Sequence, residues 1–258
     1  MKKKILAILL CAAMAVTVFA GCGQAANPAS AENNASGDAG SAAAPASDQK
    51  IKVILITMDS LDQHWVSVDK GAQKAVAELG NIEYKWMAPD KKDDAQQIER
   101  VNNAIADGAD AIMIAANGPD AISASLEDAK AKGIKIIYVD SPAKTEGVAT
   151  FATDNEAAGK TAGGEMLKAL EAAGKKDGKI GIVNVNSATA STVAREKGFR
   201  AAFEGKGYTL LQTQYGEGDA TKSQDIADNY ITEGAVGIFG CNEGSTVGAG
   251  NAIKGSGK

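Results

Sequence analysis

From residue 51 onward, short runs of β-branched residues alternate with longer amphipathic stretches, and this order constrains the fold more than any other feature of the chain. The first unit is a predicted strand at residues 51–57 followed by a predicted helix at residues 64–80, whose apolar positions fall on one face. Strands separated by helices of this length are joined by right-handed crossovers in parallel sheets. The sequence therefore predicts an α/β fold built on parallel sheets.

The second half of the chain repeats the order of the first half. Lys70-Gly71 recurs 127 residues later as Lys197-Gly198, and Gly80 recurs at the same spacing as Gly207. Two similar α/β lobes are the simplest explanation of this repeat. The predicted strands lie at residues 51–57, 82–87, 111–115, 134–139, 148–151, 179–185, 208–214 and 235–240, and the predicted helices at residues 64–80, 93–107, 120–132, 154–173, 191–206 and 220–233.

The two predicted lobes differ in extent. The first lobe, residues 50–152, has Asp140 directly after its fourth strand, whereas the counterpart of Asp140 at the same spacing falls beyond the last residue. We therefore expect the second lobe, residues 153–258, to be incomplete, and the chain to be a C-terminally truncated part of a longer protein.

The first 22 residues have the pattern of an export signal. A lysine run at residues 2–4 precedes an apolar run at residues 5–19 and the small-residue ending Ala20-Gly21-Cys22. This ending resembles a bacterial lipobox, with Phe19 where that motif usually has Leu, and the resemblance implies that Cys22 is diacylated and becomes the mature N-terminus. Soluble secretion is the alternative. A transmembrane anchor is the weaker third option, because a spanning helix needs ~20 apolar residues.

Residues 23–49 contain no aromatic and no large aliphatic side chain. Such a segment cannot bury enough apolar surface to offset the entropy of an ordered chain, so it is predicted to be a disordered tether. Leader and tether together predict an extracytoplasmic protein of the cell envelope, lipid-anchored to the cell membrane.

Composition and missing motifs argue against several functions. The net charge is −5, with Lys and Arg spread among Asp and Glu, which argues against nucleic acid as a ligand. The single histidine, His64, rules out a multi-histidine metal site, and no Gly-x-Ser-x-Gly elbow is present. Gly159-Lys160-Thr161 lies inside a predicted helix and lacks the first glycine of a phosphate loop. The sequence therefore predicts a protein that is not an enzyme and that uses neither a metal nor a cofactor.

Distinctive polar side chains occur in the loops that follow the predicted strands. Ligands of open parallel sheets bind beyond the carboxyl ends of the strands. Carboxylates and amides pair with neighbouring hydroxyls, and an indole covers the apolar face of a sugar ring, so this mixture suits a polyol. The side chains concerned are Asp59, Asp62, His64, Trp65, Asn117, Asp140, Asn186, Asn242 and Glu243.

Several candidates also have a purely structural explanation. Trp65 begins an amphipathic helix and could belong to the core, and His64 could be a half-exposed helix cap. Asn155 could cap the helix that follows it, and Arg195, beside Glu196, could be a solvated helix charge. Asp140 has the strongest case for a ligand role, because it ends a largely apolar strand.

Residues 51–258 resemble the periplasmic binding protein family of the ribose-binding type. The resemblance implies a type I fold, in which two Rossmann-like parallel-sheet lobes close on a ligand by a hinge, here with the second lobe incomplete. The segments that carry the likeness are Asp69-Lys70-Gly71-Ala72-Gln73-Lys74-Ala75, Ile136-Ile137-Tyr138-Val139-Asp140, Ala152-Thr153-Asp154-Asn155 with Gly159-Lys160, Ala194-Arg195-Glu196-Lys197-Gly198-Phe199, and Phe239-Gly240-Cys241-Asn242-Glu243-Gly244.

The same resemblance implies roles for individual residues. Trp65 would stack on a sugar ring and Asp140 would accept its hydroxyls, while Arg195 would close from the second lobe. Asp62, Gln63 and His64 stand where the family usually offers Asn and Phe, so ribose itself is not implied. The predicted ligand-binding set is Asp62, His64, Trp65, Asn117, Asp140, Asn155, Arg195 and Asn242.

The predicted function follows from this resemblance. A monomeric, non-catalytic, lipid-anchored solute-binding protein would capture a small sugar or polyol and deliver it to the permease of an ABC importer. A receptor that passes a sugar-like signal to a membrane sensor is one alternative. A cell-surface glycosidase is the other, and it would need two carboxyl groups about 5–9 Å apart across a cleft.

Overall fold

The computed structural model describes residues 50–257, which belong to one compact unit, Ser47–Lys258. The predicted leader, the predicted tether at residues 23–49 and the lipidation site Cys22 lie outside the described residues. Within residues 50–257, no helix is long and apolar enough to cross a membrane.

The first lobe contains five strands and three helices. They are β1 (Ile51–Ile56), α1 (Gln63–Leu79), β2 (Ile82–Trp86), α2 (Asp94–Ala106), β3 (Ala111–Ile114), α3 (Ser123–Ala131), β4 (Lys135–Val139) and β5 (Ala149–Phe151). The strands form one parallel sheet in the order β2-β1-β3-β4-β5. The predicted parallel α/β fold is confirmed here.

The second lobe contains four strands and four helices within the described residues. They are α4 (Asn155–Ala172), β6 (Gly178–Asn184), α5 (Ala190–Phe203), β7 (Tyr208–Leu210), β8 (Gln214–Tyr215), α6 (Ala220–Thr232), β9 (Ala235–Gly240) and α7 (Glu243–Ser256). β6 is the central strand, and β7, β8 and β9 all pair with it in parallel.

The prediction of a single strand at residues 208–214 is wrong. On one edge of β6, the backbone N–H of Leu211 donates to the carbonyl of Ile180 and that of Gly216 donates to the carbonyl of Asn184. The carbonyl of Ile182, which lies between these two, has a different partner. The hydroxyl of Tyr230 lies 3.0 Å from the Ile182 carbonyl oxygen and 2.6 Å from that of Gln212. The hydroxyl takes the place of a strand N–H, so the ladder is interrupted between β7 and β8.

Two helix ends also differ from the predicted boundaries by three residues. α3 begins at Ser123, not at residue 120, because the chain first forms a turn in which Ser123 N donates to the Asp120 carbonyl at 3.3 Å. α5 ends at Phe203, shortly before Gly205 adopts a left-handed φ of 69°. Both differences reflect local turns at the ends of correctly predicted helices.

Each lobe has its own apolar core. In the first lobe, Ile112 and Ile114 of β3 are fully buried together with Leu126 of α3. In the second lobe, Phe199 of α5 stacks on Phe239 of β9 with ring centroids 4.1 Å apart. Buried strands of this kind fix the starting points of the loops at their carboxyl ends.

Helices α4 and α5 approach each other through glycines. A Cβ atom on Gly159 would lie 1.9 Å from the carbonyl oxygen of Arg195, and one on Gly198 would lie 1.9 Å from the carbonyl oxygen of Glu156. No side chain can be added at either position unless a helix backbone moves. This close packing fixes the position of the Arg195 backbone in α5 relative to α4.

The lobes touch through loops that follow strands at their carboxyl ends. The Thr189 hydroxyl donates to the backbone carbonyl of Asn117 at 2.8 Å, and the backbone N–H of Ser191 donates to the Ser141 hydroxyl at 3.4 Å. The two lobes therefore meet on the side where the sequence predicts the ligand.

Candidate functional site

A cavity of about 110 Å³ lies between the two lobes. It is smaller than the ~300–1,000 Å³ of pockets that hold drug-sized ligands, so it suits a single small polar molecule. Its walls are formed by Met58, His64, Trp65, Lys92, Asp140, Val185, Thr189, Ser191, Thr192, Arg195, Asn242 and Glu243.

Asp140 has an unusual backbone conformation at the end of β4. Its φ is 62°, in the left-handed region that non-glycine residues adopt rarely, with Asn and Asp among the exceptions. Its backbone N–H donates to the carbonyl of Phe151 at 2.8 Å, which ties it to β5. The carboxylate lines the cavity, where its Oδ1 lies 3.6 Å from Arg195 Nη2 and 4.0 Å from His64 Nε2.

Arg195 reaches Asp140 from the second lobe and is oriented by two further contacts. Its Nε donates to Asn155 Oδ1 at 2.8 Å, and its Nη1 donates to the carbonyl of Cys241 at 2.8 Å. A planar guanidinium held at three nitrogens has little rotational freedom. The structure thus brings Asp140 and Arg195 together, while Asn155 supports Arg195 from outside the cavity lining.

Trp65 and His64 begin α1 and line the same cavity. Trp65 is only 3% exposed and packs with Met58 and Ala115, so most of its ring belongs to a small apolar cluster. The His64 ring meets it edge-on, with centroids 4.5 Å apart. The structural explanation of Trp65 as a core residue and its predicted ligand role are therefore compatible, because one part of the side chain faces the cavity.

Asp62 does not line the cavity directly. Its carboxylate caps α1 by accepting from the backbone N–H of His64 at 3.1 Å, and it also lies 3.3 Å from Lys92 Nζ. Lys92 in turn lines the cavity and contacts Asp59 at 2.5 Å. Lys92 is not among the residues predicted from the sequence, because its segment, Asp90-Lys91-Lys92-Asp93-Asp94, has the composition of a solvated charged loop.

Asn242 lines the cavity, whereas Asn117 does not. Asn242 caps α7, with its Oδ1 accepting from the backbone N–H of Ser245 at 3.1 Å. Asn117 is buried beside the cavity, where its Nδ2 donates to Asp94 at 2.6 Å and its carbonyl accepts from Thr189. Asn117 therefore contributes to the contact between the lobes and borders a neighbouring opening, and its ligand role stays a prediction.

Hydroxyl groups from the second lobe complete the cavity and were not selected from the sequence. Thr189, Ser191 and Thr192 lie at or next to the start of α5. Small hydroxyl residues are common at helix starts, where they cap the backbone, so their type alone gave no signal of a ligand role. Their position directly after a strand's carboxyl end is the one feature that could have identified them.

The cavity lining is rich in hydrogen-bond donors and acceptors. Cys241 is buried behind Arg195, and burial raises the pKa of its thiol well above the usual range, so it stays protonated. Among residues 50–257, no group of three or more His, Cys, Asp or Glu side chains is placed to hold a metal ion. Paired donors and acceptors such as Arg195 and Asp140 instead match neighbouring hydroxyls.

A larger groove lies elsewhere on the described part of the molecule. It measures about 510 Å³ and runs along the outer edge of β2 beside α2, lined by residues such as Lys85, Arg100 and Asp107. None of the predicted ligand-binding residues borders it. The smaller cavity between the lobes is the better candidate site, because it gathers polar side chains from both sheets.

Comparison with known proteins gives one consistent result. A family model described as a periplasmic binding protein domain matches residues 53–258. The ribose import binding protein of Haemophilus influenzae is 29% identical over 212 residues, which cover 80% of this chain and 70% of that protein.

Solved structures show the same likeness. An ABC transporter solute-binding protein from Agrobacterium vitis, bound with α-D-tagatopyranose, has a TM-score of 0.74 at 26% identity, covering 81% of this chain and 73% of that one. The periplasmic component of an ABC-type sugar transport system from Hahella chejuensis has a TM-score of 0.75 at 28% identity, covering 80% and 76%.

Proposed function

This chain belongs to the periplasmic binding protein family, and we propose that it captures one small sugar or polyol in the cavity between its lobes for an ABC importer. Its relatives support a sugar ligand, since they include a ribose import binding protein and a solute-binding protein bound with α-D-tagatopyranose. Those relatives are binding proteins, so the proposal is one of capture without catalysis.

The observation that carries the proposal is the meeting of Asp140 and Arg195 across the cavity. The carboxylate comes from the first lobe and the guanidinium from the second, 3.6 Å apart. A ligand hydroxyl can donate to the carboxylate, and its neighbour can accept from the guanidinium. A sugar with adjacent hydroxyls would therefore bridge the two lobes.

Such bridging gives a mechanism for signalling capture to the importer. A ligand shifts a conformational equilibrium only by the difference between its affinities for the two states. Here the ligand would contact both walls only when the lobes are together, so it would favour the closed arrangement by hinge motion. The permease would then recognise the closed form.

The proposal includes an extracytoplasmic location with a lipid anchor at Cys22. Its support is the export-signal pattern of residues 1–22 and the likeness of the ending to a lipobox. Cys22→Ser is expected to leave an uncleaved or shed precursor. Unchanged mass and unchanged partitioning into the detergent phase would contradict the anchor and leave the binding proposal untouched.

The binding proposal is tested by thermal shift and calorimetry of the full chain against pentoses, hexoses and inositols. A ligand that binds only the folded state raises the melting temperature. Asp140→Asn retains a residue type tolerant of the left-handed backbone but removes the carboxylate, and we expect at least tenfold weaker binding.

Asp120→Asn is the matched control, because Asp120 is exposed and pairs only with Lys144 at the surface. It should bind as the parent does. The proposal fails if no member of the panel binds the parent, and the cavity is misassigned if Asp140→Asn binds within twofold of the parent.

A further inference from the structure

Lys92 lies where three openings between the lobes meet. It lines the candidate site and two neighbouring cavities, of about 340 and 280 Å³. It belongs to the loop between β2 and α2 and reaches the lobe interface through a side chain that is only 8% exposed. A lysine this deeply buried needs partners for its charge.

Two carboxylates supply part of what the ammonium needs. Asp59 Oδ2 lies 2.5 Å and Asp62 Oδ2 3.3 Å from Lys92 Nζ. Asp59 is itself held in place, because its Oδ1 accepts from the backbone N–H groups of Leu61 and Asp62. The ammonium is therefore fixed in position by the loop that precedes α1.

One donor of Lys92 has no acceptor among residues 50–257. A lysine ammonium has three N–H donors, and only two have acceptors among the described residues. The side chain is more than nine-tenths buried and lines the cavity, so water does not surround it freely. A ligand oxygen in the cavity would satisfy the third donor.

The second lobe leaves room for this ammonium at Gly218. Gly218 has a φ of 73°, and a Cβ atom there would lie 2.9 Å from Lys92 Nζ. Because Gly218 of the second lobe has no side chain, the ammonium group of Lys92 from the first lobe fits against it. Lys92 of the first lobe therefore lies directly against the second lobe at the cavity.

The local charge decides what kind of oxygen fits. Lys92 is paired with two carboxylates outside the lining, Asp59 and Asp62, and Glu243 is a further acidic residue of the lining, while the lining's other charges, Arg195 and Asp140, pair with each other. This end of the cavity carries net negative charge despite the lysine. A hydroxyl can accept from Lys92 and donate to a carboxylate, whereas an anionic oxygen can only accept and meets like charges.

We propose that Lys92 is a ligand-contacting and specificity-determining residue, which with Asp59 and Asp62 admits neutral, hydroxyl-rich ligands and excludes anionic sugars such as uronates and sugar phosphates. This inference rests on the proposed capture of a small sugar. It adds the chemical class of the ligand and a residue outside the predicted ligand-binding set.

The test is calorimetry on the full chain with three matched pairs of probes: D-glucose and D-glucuronate, D-galactose and D-galacturonate, and D-ribose and ribose 5-phosphate. At least one neutral probe is expected to bind, and its anionic partner to bind at least tenfold more weakly. Lys92→Met should weaken binding of the neutral probe at least tenfold. Lys85→Met is the control, because Lys85 also pairs with an aspartate, Asp107 at 2.7 Å, but on the exposed surface.

Asp62→Asn provides a second, independent variant. Asn caps a helix about as well as Asp, so α1 should keep its start while one negative charge is lost. The preference for the neutral probe over its anionic partner should fall at least threefold. This variant also decides the inference if Lys92→Met does not fold, as judged by circular dichroism.

The outcomes separate the inference from the function on which it rests. No binding of any probe to the parent would overturn both. Binding of an anionic probe as tightly as its neutral partner would overturn the inference and leave sugar capture standing. A folded Lys92→Met that binds the neutral probe within twofold of the parent, or an unchanged preference in Asp62→Asn, would overturn it equally.

Discussion

The two walls of the candidate site are built in different ways. The first-lobe wall depends on charge, since Lys92 is held by Asp59 and Asp62 and is almost removed from solvent. The second-lobe wall depends on backbone position, since Arg195 lies in α5 and Asn242 caps α7, and both helices are packed closely against their neighbours.

Glycines provide the close packing of the second wall. A Cβ atom on Gly159 would strike the backbone of α5, and one on Gly244 would lie 1.8 Å from the carbonyl oxygen of Gly218. The first wall should therefore be sensitive to loss of charge and the second to added side-chain volume.

The largest effect is expected from removing the buried cation of the first wall. Lys92→Met leaves two carboxylates, 5% and 12% exposed, without their partner, and should lower the free energy of unfolding by about 3–5 kcal/mol. Urea denaturation measures the change. Lys85→Met removes an exposed ion pair and should cost about 0–1 kcal/mol. Equal losses in the two variants would mean that the first wall does not depend on its charges.

Adding one methyl group tests the second wall. Gly159→Ala forces α4 and α5 apart and should cost about 1–3 kcal/mol of stability, with weaker sugar binding because Arg195 moves. Gly164→Ala, in the same helix with open space around it, should instead stabilise the protein by about 0.5–1 kcal/mol. Thermal melts and calorimetry distinguish the two. A Gly159→Ala protein as stable as Gly164→Ala would show that the close approach is not needed.

Arg195 links the two walls, and its shape matters beyond its charge. Arg195→Lys keeps a cation but cannot reach Asn155, the Cys241 carbonyl and Asp140 together, so affinity for the best sugar of the panel should fall about tenfold, or ~1.4 kcal/mol. Arg100→Lys, in α2 outside the cavity, is the control in the same calorimetric titration. Full affinity in Arg195→Lys would mean that a point charge suffices there.

A smaller effect is expected from pH. Burial raises the pKa of Glu196, but hydrogen bonds from Thr213, Asn184 and Arg200 outweigh burial and hold the pKa below its usual 4.5. Because the folded-state pKa is the lower one, this stabilisation is present above about pH 4.5 and is lost as pH falls through the folded-state value.

Glu196→Gln should therefore lose melting temperature less steeply than the parent on acidification from about pH 5 to pH 3. Glu165→Gln, an exposed helix position, should follow the parent. If the melting temperatures of the parent and Glu196→Gln fall in parallel with pH, the ionised Glu196 carboxylate does not stabilise the second lobe.

Much of the fold could be predicted because local pattern and global architecture agree. Alternating strands and helices imply parallel crossovers, and the parallel sheets carry Asp140 and Asn242 to the carboxyl ends where ligands bind. The interrupted strand could not be predicted in this way. Its cause is Tyr230, 18 residues away from Gln212 in sequence and in contact with it only in the folded protein.

The site was harder to predict where a residue depends on a distant partner. Lys92 is buried because Asp59, 33 residues earlier, reaches it. Nothing within its own charged segment distinguishes it from Lys91, which is exposed. Asn117 has the residue type and loop position of a ligand-binding residue, yet contacts from Asp94 and Thr189 use its polar groups. Side-chain type and strand order predict the neighbourhood of a site, whereas tertiary contacts decide its members.

The burial of Trp65 at the cavity has an optical consequence. The chain has two tryptophans, Trp65 and Trp86, and both belong to the same apolar cluster of the first lobe. Only Trp65 borders the cavity, while the indole N–H of Trp86 is engaged with the Thr57 hydroxyl at 2.8 Å. The protein thus carries its own fluorophore at the candidate cavity, and in Trp86→Phe the emission of Trp65 alone should report on occupancy of that cavity without any added label.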